Sequence, residues 1–208
     1  MVIGLWAIFW PEPYLACMSA AVLAPVVAVA IAGFSDGQID LGEEEGSFAR
    51  PSVHRLAVMP TLGLALRSLL DYAQIDWLPT IGAAAVLTPP LTFVVARAGF
   101  KDRPYGLTGV IGLAVFTYVW GALVQLNALA GDHSTEFALT KVVSMRETSG
   151  RDASNYLTLA PPRYPGVPDE VDVGRRLYDA TKVGDEVCIH VHRGVLTWRW
   201  YEVDFCPT

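Results

Sequence analysis

Residues 107–130, LTGVIGLAVFTYVWGALVQLNALA, contain no charged side chain; the nearest are Arg103 before the run and Asp132 after it. The run is about 24 residues long, and a hydrocarbon core of ~30 Å needs about 20 helical residues at ~1.5 Å each. It therefore predicts a transmembrane helix. It also divides the chain. Long apolar runs precede it, and short alternating segments separated by turn residues follow it.

The composition agrees with that division. Of 208 residues, 52% are hydrophobic and 17% charged, with a mean hydropathy of +0.36. Soluble domains carry about 25% charge, and the deficit here lies before residue 131. The net charge of -6, without any cluster of Lys and Arg, argues against a nucleic-acid partner, because phosphate neutralisation needs concentrated cations. Three cysteines are too few for a disulfide scaffold.

Upstream of the opening stretch the expected spans are residues 13–34, 53–70 and 77–97. With 107–130 they make a four-helix membrane domain over residues 1–131. Residues 1–10 (MVIGLWAIFW) lack the basic start and cleavage pattern of a secretory signal. Trp6 and Trp10 suit an interfacial lead-in or an extension of the first helix. The acidic run Glu43-Glu44-Glu45 reads as a solvated loop rather than a cation site. Residues 53–70 carry His54, Arg55 and Arg67, so this segment either spans with its basic ends snorkelling or lies along the surface; spanning is the preferred reading. Arg67 and Asp71 are four apart and predict an ion pair on one helix face. Pro89 and Pro90 predict a break or strong bend in the third span, the kind of feature that can mark a transport site.

Arg97, Lys101 and Arg103 place the loop before the last span on the cytoplasmic side by the positive-inside rule. The last span then runs outward. Residues 132–208 are expected on the extracytoplasmic side of a bacterial inner membrane, as a small antiparallel β domain.

Residues 137–145 and 156–159 read as two strands joined by a polar turn, and Pro161, Pro162, Pro165 and Pro168 mark an extended connection. A short helix or turn is expected over residues 171–181, around Leu177 and Tyr178. Residues 186–192 (EVCIHVH) alternate as a half-buried strand does, and Arg193-Gly194 reads as the turn into an aromatic strand over 195–205. Cys188, His190 and His192 share one face of the 186–192 strand. Imidazole and thiolate both bind zinc or copper, although a straight strand separates Cys188 from His192 by roughly 13 Å. Cys188 and Cys206 also form a natural disulfide pair in an oxidising compartment. The two roles exclude each other. A two-residue turn at Arg193-Gly194 would set Cys188 opposite Arg199, so the bridge would require the last strand to bend back.

No nucleophile elbow, zinc-protease helix or phosphate loop is present. The expectation is a non-enzymatic membrane protein without a cofactor, whose partners are the lipid bilayer and another membrane or periplasmic protein. The alternatives are a metal-handling or redox protein using Cys188, His190 and His192, and a transport subunit using Pro89-Pro90.

Overall fold

The computed structural model describes residues 2–35, 38–39, 41, 52–99, 106–131, 135–148, 154–161 and 164–206. The acidic run 43–45, the loop cations Lys101 and Arg103, and Pro162 lie outside them. The chain forms two compact units, one of residues 1–71 and 77–129, the other of residues 72–76 and 130–208.

The first unit is helical. α1 (Val2–Phe9) is separate from α2 (Tyr14–Phe34), because Pro11 and Pro13 disfavour helix at the residues before them and end the first segment. α3 (His54–Leu70), α4 (Trp77–Gly99) and α5 (Gly106–Leu129) complete the unit. Among the described residues, three segments are long and apolar enough to cross a membrane: Tyr14–Phe34, Trp77–Gly99 and Thr108–Leu129. α3 has 17 residues, roughly 25 Å of helix, and is shorter than a full hydrocarbon core. It is nevertheless the shared neighbour of α1, α2 and α5.

Small residues allow that packing. On α2 the buried side is Cys17, Met18, Ala21, Ala24, Pro25, Ala28 and Ala32, an alanine-rich stripe that lets helix backbones approach where no hydrophobic effect drives them together. Where α5 crosses α3, a Cβ placed on Gly121 would lie 3.1–3.3 Å from the backbone of Leu64 and Ala65. At the same crossing the Ser68 hydroxyl donates to the Gly121 carbonyl at 3.1 Å. Outward-facing Leu78, Val86 and Phe93 on α4 are exposed, as lipid-facing residues are.

α4 runs through Pro89 and Pro90 as one helix, so of the expected break or strong bend it is the break that does not occur. In an apolar medium a broken helix exposes several backbone groups, whereas two prolines remove two donors.

The second unit is a six-stranded antiparallel sheet curled into a half-barrel, in the order β1-β6-β5-β2-β3-β4. Its strands are β1 (Ala73–Gln74), β2 (Thr135–Glu147), β3 (Asn155–Leu159), β4 (Glu170–Val173), β5 (Glu186–Arg193) and β6 (Arg199–Asp204), with the short helix α6 (Arg175–Ala180) between β4 and β5. Val142, Leu157, Leu159, Val171, Val173, Val187, Ile189, Val191 and Tyr201 form the inner core, with Leu177 of α6 packed among them. The alternation of Val187, Ile189 and Val191 inward gives β5 its register against β2 and β6.

Two strands were not expected. β4 lies in the segment after the prolines, and β1 lies between α3 and α4, in what reads as a mere connector. β1 pairs antiparallel with β6, Ala73 opposite Tyr201 and Gln74 opposite Trp200.

Candidate functional site

The outer face of β2, β5 and β6 gathers the residues singled out in the sequence. The register sets Phe137, His190 and Glu202 in one row and Leu139, Cys188 and Asp204 in the next. His192 and Trp200 lie opposite each other, with Gln74 on the far side of Trp200. All belong to one side of the pleat, because side chains alternate and these positions are in register.

Cys188 and Cys206 form a disulfide with a Cα separation of 4.9 Å. The expected turn is corrected. Arg193 pairs with Arg199, so residues 194–198 form the connection and not Arg193-Gly194 alone. Thr197 occupies a left-handed conformation there, with φ of 64°, which composition does not announce in a threonine. The longer connection puts Cys188 opposite Asp204 instead of Arg199. Cys206 then lies two residues beyond that partner and reaches Cys188 without a reversal of the strand.

The bridge removes Cys188 from any ligand set while it is intact, since a metal needs the thiolate. The histidines are engaged differently from each other. His192 stacks on Trp200 with ring centres 4.2 Å apart, and its Nε2 lies 3.2 Å from Glu202 Oε1. His190 meets Phe137 edge to face at 5.7 Å, and its Nε2 has no hydrogen-bond partner among the described residues. No group of three or more His, Cys, Asp or Glu in those residues is arranged to hold an ion.

The same face carries the exposed Lys141–Glu186 pair at 3.8 Å and the carboxylates of Glu202 and Asp204, and among them two open apolar side chains. Phe137 is 62% exposed and Leu139 57%; Phe137 pairs with His190 and Leu139 with Cys188 of the disulfide. Tyr72 extends the aromatic run, 5.2 Å from Trp200. The signal for this patch was in residues 137–143 (FALTKVV), where apolar residues occur at both parities, so one set had to face outward.

The β1 side of the same unit is held by charge. Arg199 donates from Nη2 to Asp76 Oδ1 at 2.8 Å and from Nε to Oδ2 at 3.0 Å, and its backbone N–H donates to Oδ2 at 2.8 Å. These bonds from Arg199 hold the Asp76 carboxyl below the usual carboxylate range, and Asp76 raises the already high Arg199 pKa further. Burial raises the Tyr201 phenol.

The Arg67–Asp71 pair lies in the helical unit and is more than a pair on one helix. Arg67 Nη1 is 3.2 Å from Asp71 Oδ1. Arg67 also donates from Nε to the Ala7 carbonyl and from Nη2 to the Ile8 carbonyl, both at 2.8 Å. These are last-turn carbonyls of α1, which have no acceptor role left within their own helix. Tyr14 OH donates to Asp71 Oδ2 at 2.7 Å. A hydroxyl has one proton, so the 3.1 Å contact between the same oxygen and the buried Gln125 amide is made when Gln125 turns its NH2 group toward it. The cluster joins α1, α2, α3 and α5. Pro89 and Pro90 lie in α4 outside this cluster.

Comparison with protein-family models, with curated proteins and with solved structures returned no match.

Proposed function

We infer that the chain is a four-span membrane protein whose β domain is an extracytoplasmic, non-enzymatic interaction module, and that the outer face of β2, β5 and β6 docks another membrane or periplasmic protein. The observation that carries the reading is the exposure of Phe137 and Leu139, neighbours on the outer face of β2. Clustered large apolar side chains on a folded surface mark binding sites, and aromatic residues dominate such contacts. Pinned by the neighbouring disulfide, the face is presented with little conformational cost on binding.

The sidedness has separate support. β1 pairs with β6, so the α3–α4 connection and the C-terminal domain share one compartment. Two long apolar helices, α4 and α5, lie between them, and an even number of crossings returns the chain to the side it left. The disulfide suits an oxidising compartment. The basic residues after α4 suit the opposite, cytoplasmic side. For α3 as the fourth span, the support is the neutralisation of Arg67 by two α1 carbonyls and Asp71, which lowers the cost of a charge near the membrane.

Affinity purification of the full chain from mild detergent is expected to return a stoichiometric partner, and a Phe137→Asp, Leu139→Asp double variant with an intact disulfide is expected to lose it. A clean monomer from wild type, or a partner retained by the variant, would count against the reading.

A further inference from the structure

The C-terminal end of α4 offers a different surface. Phe93, Val94, Arg97 and Ala98, on its last turns, line a shallow, open cleft. Its walls are apolar, with Phe93 61% and Val94 53% exposed. Its one charge is Arg97, whose guanidinium sits 5.0 Å above the Phe93 ring. Arg67 is consumed by Asp71 and two backbone carbonyls. Arg97 has no carboxylate partner among the described residues. A long side chain on the last turn of a membrane helix places its head at headgroup depth while its stem stays among acyl chains.

We propose that this cleft binds an anionic phospholipid, with the lipid phosphate on the Arg97 guanidinium and an acyl chain along Phe93, Val94 and Ala98. The charge complementarity is specific to an anionic headgroup. The guanidinium forks onto phosphate oxygens, the Phe93 ring holds it in place through its π face, and an acyl chain covers the apolar wall that Arg97 leaves open. The site rests on α4 lying in the bilayer and is independent of the protein partner.

Full-length protein in mild detergent, titrated with phosphatidylglycerol and with phosphatidylcholine of matched chains and read by native mass spectrometry, tests the assignment. Wild type is expected to retain the anionic lipid about fivefold over the zwitterionic one, the factor for ~1 kcal/mol per basic residue. Arg97→Gln is expected to bring the ratio toward one, Arg97→Lys to keep most of it, and Phe93→Ala to weaken both lipids together. The same ratio in wild type and Arg97→Gln overturns the proposal, as does release of the lipid by millimolar inorganic phosphate, which would show a phosphate site without a chain seat. Failure to incorporate into vesicles of either lipid would instead sink the membrane placement of α4, whereas incorporation without preference sinks only the lipid site.

Discussion

Asp76 and Arg199 stand 123 residues apart in the chain and are joined through both carboxylate oxygens, at 2.8 and 3.0 Å. The pair fastens the segment between α3 and α4 into the sheet that the last strand completes. The Ile75 N–H, which donates to the Arg199 carbonyl at 3.0 Å, extends the β1–β6 ladder to the same point.

Replacing Asp76 with Asn is expected to destabilise the β domain by about 2 kcal/mol, the scale of a charge-assisted, partly buried pair. The pH dependence has a definite sign. The folded pKa of Asp76 is depressed by Arg199, so its contribution is present above the unfolded value of ~3.9 and is lost as pH falls through the folded value. Thermal melts of the purified chain between pH 7 and pH 3 should show wild type losing more stability than Asp76→Asn. Parallel pH profiles would refute the assignment.

The disulfide closes a loop with a sequence separation of 18. Chain-entropy reasoning assigns such a bridge about 3 kcal/mol, so Cys206→Ser should lower the denaturation midpoint of the domain accordingly. In intact cells an impermeant maleimide should label Cys188 and Cys206 only after reductant is added. Labelling without reductant would remove the bridge, and no labelling after reductant would remove the outside placement.

Gly121→Val puts a branched side chain 3.1–3.3 Å from the α3 backbone. Overpacking of this kind costs ~1–3 kcal/mol, and the helical unit should unfold at lower denaturant in detergent. Gly82, where an added Cβ meets nothing within 4 Å, is the control. Gly82→Ala should not lower the midpoint and should raise it by up to ~1 kcal/mol, because alanine is the better helix former.

Arg67→Met removes the donors to the Ala7 and Ile8 carbonyls and leaves Asp71 with Tyr14. A loss of about 2–3 kcal/mol is expected from the unpaired partners, with α1 released first. Limited proteolysis should then cut near residues 10–13 in the variant and not in wild type. Equal protection of the two proteins would show that α1 is held by apolar packing alone.

How much of this was legible follows from the range of each interaction. The membrane helices declare themselves through uncharged length, and β5 through the alternation of Val187, Ile189 and Val191. Leu177 and Tyr178 mark α6 locally. What failed was local reasoning applied to non-local structure. Two residues, Ala73 and Gln74, have no periodicity to read, and their strand exists only because β6 is there to receive it. Arg193-Gly194 carries an ordinary turn signal, yet the connection continues through Thr197 in a conformation no composition rule assigns. That moved the register and with it the neighbour of Cys188. Pro89-Pro90 signals a break or a bend without choosing between them, and α4 stays one helix through both. Arg67 reads as the partner of Asp71, and nothing in the sequence ties it to the end of α1.

The β1–β6 pairing also orders events during synthesis. Asp76 leaves the ribosome 123 residues before Arg199, which at ~5–20 residues per second is roughly 6–25 s. Throughout that interval the strand between α3 and α4 waits with its partner still untranslated. The sheet is therefore closed only after its last strand has emerged, when every helix before it has already been made.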